Sequence, residues 1–166
     1  MLQPVVRRTW APRGETPVHY SWDRHDRLSV ISAISVAPRR RRMGLYFEAL
    51  DHNVRTPEFV RFVRALRRQI QAPILLILDR LNVHRSGVRK LLQRGSRAIA
   101  FEWLPPYAPD LNPTEYVWSH AKYVDLANFM PDDIKHLGRS IAKSLRRQRA
   151  RPSLLRSFFK MARLKL

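Results

Sequence analysis

Apolar and polar positions alternate early in the chain and then change period. The stretch RLSVISAISVA, Arg27 to Ala37, alternates around Leu28, Val30, Ser32 and Ile34, the pattern of a strand with one face buried. After the basic link PRRRR, the run MGLYFEAL from Met43 to Leu50 reads as a second strand, and a segment near TPVHYSW reads as a partner strand with DRHD as its turn. At Thr56 the period lengthens. TPEFVRFVRALRRQI offers a capping threonine, a proline at the first helical position and a glutamate next. Phe59, Val63, Leu66 and Ile70 step by helical intervals and predict one apolar stripe.

Beyond Pro73 the five-residue run from Ile74 to Leu78 has no alternation and stops at Asp79, which predicts a fully buried central strand. A helix over SGVRKLLQR and a strand over AIAFEWL come next. Then the proline-rich LPPYAPDLNPTEYVWSHAK turns into a helical pattern at Pro113. The tail from Pro131 carries Ile134, Leu137, Ile141 and Leu145 at helical spacing, with a break around Pro152. This order predicts a mixed α/β fold: a body over residues 1–130 and a basic helical extension of the same domain over 131–166.

Charge narrows the classes of partner. Among 166 residues, 32 Lys and Arg stand against 13 Asp and Glu, a formal net charge of +19. Such a field attracts polyanions, nucleic acid first among them. No apolar run approaches the roughly 18 residues of a membrane span. The N-terminal MLQPVVRRTWAPRG has no apolar stretch of the signal-peptide kind. There is no cysteine, hence neither a disulfide framework nor a thiolate metal site, and a reducing cytoplasm fits both.

Two carboxylates carry the sharpest chemical reading. Asp79 closes a strand, and in open α/β sheets ligands bind where strands end at their carboxyl side. Glu115 stands on the first turn of the helix after the prolines, and positions 80 to 114 suffice to bring the chain back beside Asp79. Together they could share a hard divalent cation, Mg²⁺ or Mn²⁺. Each also has a purely structural reading: Asp79 opens a turn, and Glu115 completes an Asn-x-x-Glu capping box with Asn112 as N-cap. Weaker candidates are His84 and His120 as hydrogen-bonded or ligating histidines, and Asp110 in the loop. Trp103, Tyr107, Tyr116 and Trp118 could stack on bases or divide between core and surface.

LILDRLNVHRS followed by FEWLPPYAPDLNPTEYVWSHAK resembles the second and third catalytic blocks of bacterial insertion-sequence transposases of the mariner superfamily, which carry a DDE endonuclease domain. QPVVRRTWAPRGETPV is similar to the segment just after the first catalytic strand of that family, so the resemblance runs from Gln3 to about Tyr123. It implies an RNase H-like mixed sheet flanked by helices, and a Mg²⁺- or Mn²⁺-dependent enzyme that cuts DNA at transposon ends and joins the 3′-hydroxyl to target DNA. By position, Asp79 matches the second catalytic aspartate and Glu115 the third acidic ligand, both metal-binding. His84 and Asn112 match recurring motif positions. Arg80, standing where the family usually has Asn, is with Arg85 and Lys122 a candidate for contact with DNA.

The family's first aspartate lies on a strand just before PVVRRTWAPRG, and Met1 comes too late to include it. Glu15, Asp23 and Asp26 are the early acids, the first in a glycine-containing turn and the others at a hairpin tip. The resulting expectation is a transposase catalytic-domain fragment with its first strand missing and little strand-transfer activity alone. An upstream reading-frame product or another transposase subunit would be its partner, and the bacterial nucleoid its location. Decay of the element, a late start codon or frameshifting would each give such a chain. The alternatives are a non-catalytic basic DNA-binding remnant and, with less support, an RNA-binding protein.

Overall fold

In a computed structural model of the chain, the described residues are 8, 10–15, 18, 28–93, 95 and 98–166. The expected strand near TPVHYSW, the DRHD turn, Asp23 and Asp26 lie outside them apart from Val18. Glu15 is in a turn as expected: its N–H donates to Pro12 O at 3.0 Å, and Gly14 takes the positive φ of 91°.

β1 (Ser29–Val36) and β2 (Met43–Leu50) form an antiparallel hairpin, with Ser29 opposite Leu50 and Val36 opposite Met43. Its arginine-rich turn closes through Ala37 N–H to Arg42 O at 2.9 Å and Arg40 N–H to Ala37 O at 2.7 Å. α1 (Thr56–Ile70) comes next. Its N-cap is Arg55 rather than Thr56, because the Glu58 carboxylate reaches back to the Arg55 N–H at 2.9 Å. Phe59, Val63 and Leu66 are buried as the stripe predicts, and Phe62 joins them.

β3 (Ile74–Leu78) and β4 (Ile99–Trp103) are parallel, joined by α2 (Asn82–Gln93), which begins four residues earlier than the SGVRKLLQR pattern suggests. The expectation of a fully buried β3 fails. Leu78 is buried, but Leu75 and Ile77 are 60% and 56% exposed, so one face of the strand is open. The mixed sheet is divided among the described residues into these two pairs, with no strand linking β1 to β3. They still share one core: Ile31 of β1, Leu78 of β3 and Ile99 of β4 cluster with Phe59, Val63 and Leu66 of α1.

A single 3₁₀ turn at Pro109–Leu111 leads into α3 (Pro113–His120), which widens into a π-helical turn at Ala121–Asp125. Leu126 N–H donates to Ala121 O at 2.9 Å, five residues back. α4 (Ile134–Arg149) starts at an Asp133 cap, and α5 (Pro152–Met161) starts with proline in its first turn, where a missing N–H costs nothing. Leu45, Val117, Ile141, Leu145, Leu155 and Phe158 form a second core on the other side of the β1–β2 hairpin. Gln148 sits inside it at 1% exposure, donating to Ser144 Oγ at 3.2 Å. Among the described residues no helix is long and apolar enough to cross a membrane.

Candidate active site

Asp79 directly succeeds β3, where the ladder to β4 has just ended with Leu104 N–H donating to Leu78 O at 2.8 Å. With no further strand partner, the chain turns at once into α2. The Asp79 Oδ1 atom fixes that turn by accepting the Leu81 N–H at 3.2 Å and the His84 Nδ1–H at 2.5 Å. An ionised carboxylate only accepts hydrogen bonds, which assigns the donor role to His84. The imidazole packs on the Phe59 ring, centroids 4.8 Å apart, so its position is set by the first core. Burial works against the charge of Asp79, but the His84 hydrogen bond, the charge of His84 and the Leu81 amide outweigh it. The carboxyl pKa lies below its ordinary 3.8.

Asn112 caps α3 as expected, its Oδ1 accepting from Thr114 N–H at 3.1 Å. The capping box does not form. The Asn112 N–H donates instead to Pro109 O at 2.9 Å, inside the 3₁₀ turn that the prolines set up. With that donor taken, Glu115 is not drawn back into the cap. Its carboxyl pKa is raised above the ordinary 4.5, first because surrounding protein crowds the group although much of it is open to solvent, and then because the charge of Asp79 repels its own. The fold thus brings Asp79 and Glu115 into electrostatic reach of each other.

A cavity of about 480 Å³ opens beside Glu115, walled by Leu28, Val30, Tyr116, Trp118 and Lys122 among others. Lys122 lies 5.3 Å from the Tyr123 ring centroid, and Asp110 is part of the same wall. The remaining candidates separate. Arg80 is exposed, and its Nε donates to Leu104 O at 3.1 Å, bracing the exit of β4. Arg85 is exposed on α2. His120 stands 4.0 Å from Asp125 and against Phe158, within the second core. Among the aromatics, Trp103 packs on the first core, Tyr116 and Trp118 on the second, while Tyr107 is fully exposed at the loop tip with φ 57°.

The donor chemistry fits a hard divalent cation. The charge of Asp79 reaches Glu115, and both hydrogen bonds to Asp79 fall on Oδ1, so Oδ2 has no hydrogen bond among the described residues. No group of three or more His, Asp, Glu or Cys side chains gathers for a metal among the described residues. Mg²⁺ is often held by only one or two carboxylates, with water and substrate oxygens completing the shell. Sequence reasoning left the role of His84 open. A histidine five residues after a strand end carries no signal of a bond back to that strand until the turn into α2 is known.

Among solved structures, the chain resembles one described as the crystal structure of the Mos1 strand transfer complex, with a TM-score of 0.61 and 18% identity. The match covers 98% of this chain and 48% of that one, so the chain spans about half its length. No curated protein matches. The likeness is one of fold and gives the mixed α/β architecture its RNase H-like character. The family of DDE superfamily endonucleases matches residues 1–137, which include both carboxylates and the proline loop between them. On that match, most of the chain in extent, the protein belongs to the DDE superfamily endonucleases.

Proposed function

We propose that the chain is part of the catalytic domain of an insertion-sequence transposase of the mariner superfamily, with DNA as its substrate and Asp79 and Glu115 as the second and third of its cation-binding carboxylates. The observation that carries this reading is the release of Glu115 from the cap and its coupling to Asp79. Family membership and the likeness to a strand transfer complex support it. A bound Mg²⁺ or Mn²⁺ supplies the positive charge that polarises a scissile phosphate and holds a water or 3′-hydroxyl for attack.

The residues of the chain have distinct tasks in that chemistry. Asp79 is kept ionised and pointed by His84 and the Leu81 amide, so it is a ready oxygen ligand at neutral pH. Glu115 is the partner whose carboxyl pKa is raised, first by crowding and then by the charge of Asp79, and a bound cation would offset both. Lys122, in the cavity wall, offers a positive group for a phosphate entering beside Glu115.

The test is nicking of supercoiled plasmid DNA with Mg²⁺ or Mn²⁺, comparing wild type with Asp79→Ala and Glu115→Ala. Loss of nicking in both variants supports the reading. Equal nicking in all three removes catalysis from these carboxylates and leaves a DNA-binding chain. Thermal shift with Mn²⁺ gives a second readout: wild type gains stability and the variants do not.

A further inference from the structure

Carboxylates are segregated along the chain. None occurs from Arg27 to Phe47 or from Ile134 to Leu166, although both segments are rich in arginine and lysine. The fold brings these two segments together, because α4 and α5 both pack against β2. Around α4 an acid does intervene, since Asp125 lies 4.0 Å from Arg147, whereas no ion pair involves the hairpin turn or α5 among the described residues.

α5 gives this side a direction. Midway along it, Arg156 Nη2 donates to Arg40 O at 2.6 Å, docking the helix on the arginine turn of the hairpin. At its end, Met161 O accepts the Tyr116 hydroxyl at 3.2 Å, and Tyr116 is the neighbour of Glu115. The five residue steps from Arg156 to Met161 rise about 8 Å. Arg39, Arg40, Arg41 and Arg42 are all exposed at one end, and Arg156 and Lys160 are exposed one helical turn apart along the middle. Arg163 is exposed just past the end. Among the described residues none of these side chains is in an ion pair.

We propose that the hairpin turn Arg39–Arg42 and the exposed stripe Arg156–Lys160–Arg163 form a track for the phosphate backbone of duplex DNA, leading from the far end of the β1–β2 hairpin to the candidate site. This rests on the reading of that site as one acting on DNA. Four adjacent arginines repel one another, and Arg40 holds a φ of 56° that a residue with a Cβ seldom adopts. A duplex presents a negative charge every ~1.7 Å of its axis and so neutralises such a row. A membrane surface fits less well. The apolar side of α5, Leu155, Phe158 and Ala162, is buried in the protein, so that face of the helix is not offered to a bilayer.

The experiment is binding of a labelled DNA duplex to the full chain by fluorescence anisotropy over a salt series, without divalent cation. The triple variant Arg156→Gln, Lys160→Gln, Arg163→Gln and the pair Arg39→Gln, Arg41→Gln are compared with wild type, and circular dichroism checks that each is folded. Every phosphate left without its cation lowers the slope of log K against log salt by about 0.9, so the triple variant drops by about 2–3 and binds at least about tenfold more weakly at low salt. Arg64→Gln with Arg68→Gln on α1, equally basic but outside the track, keeps the wild-type slope. Unchanged slopes in the track variants overturn the proposal, as does an equal loss in the α1 control. Tighter binding of single-stranded RNA or of anionic phosphatidylserine vesicles than of duplex overturns it too. Asp79→Asn separates the two readings: lowered slopes in the track variants with nicking unchanged by Asp79→Asn preserve the track and sink the catalytic reading, whereas unaltered slopes in the track variants with nicking lost in Asp79→Asn do the reverse.

Discussion

His84 Nδ1 stands 2.5 Å from Asp79 Oδ1, and the same oxygen accepts the Leu81 amide, so the turn from β3 into α2 and the aim of the carboxylate are one structure. The pKa of Asp79 is lowered in the fold, and a lowered carboxylate stabilises above its unfolded value of 3.8. That stabilisation is lost as pH falls through the folded value. His84→Ala removes the donor, whereas His84→Asn keeps an N–H near the place of Nδ1. Urea denaturation will show the Asn variant more stable than the Ala variant by about 1 kcal/mol at pH 7, discounted for partial exposure. The difference disappears in acid. Equal stability of the two variants at pH 7 would show that this hydrogen bond contributes nothing.

Glu115 has the opposite sign. Its pKa is raised in the fold, so its contribution is present below pH 4.5 and is lost as pH rises through the folded value. At neutral pH the ionised group opposes folding. Glu115→Gln therefore raises Tm at pH 7, by about 1–2 °C once solvent screening of so open a group is allowed for, and the gain fades below pH 4.5. A lower Tm for this variant at pH 7 would contradict the coupling to Asp79.

The Asn112 cap sets the start of α3 and with it the place of Glu115. Asn112→Ala costs about 1 kcal/mol of stability, and Asn112→Asp costs far less because an oxygen acceptor is kept. Calorimetry on the three proteins measures both differences.

Gly87 lies where α2 meets α1. A Cβ there would fall 2.2 Å from Cδ1 of Phe59, whose ring also carries His84. Gly87→Ala destabilises by about 1–3 kcal/mol through overpacking. Adding Phe59→Leu to it recovers part of the loss, which a double-mutant cycle detects as coupling between the sites.

β3 gives two outcomes side by side. Leu78→Ala, in the shared core, costs about 2–5 kcal/mol. Ile77→Thr, on the open face, changes stability by only about 0.5 kcal/mol. Equilibrium denaturation of both variants shows whether the neighbours differ this much.

The same strand marks a limit of what was legible in the sequence. Five consecutive apolar residues say strand, but whether both faces are covered depends on which elements lie above and below, and that is decided far away in the chain. Helices were easier, since Phe59, Val63 and Leu66 meet their core through a period written locally. Asn112 was readable as a cap because proline at the first helical position marks the boundary. The fate of Glu115 was not, because it turned on whether the Asn112 N–H was already taken by Pro109, a matter of loop conformation. At the start of α1, Thr56 had the right chemistry for a cap, yet the pull of Glu58 on the Arg55 amide moved the boundary back by one residue.

The π-helical turn at Ala121–Asp125 has a consequence for how the cavity wall can change. A residue gained or lost in a helix rotates everything beyond it by about 100° relative to what came before. Removing one position from this turn would restore an even α-helical coil and swing the downstream chain away from its present bearing, while Glu115, upstream, would stay where it is. A single-codon deletion would thus recut the wall beside Glu115 at Lys122 and Tyr123 without moving Glu115 itself.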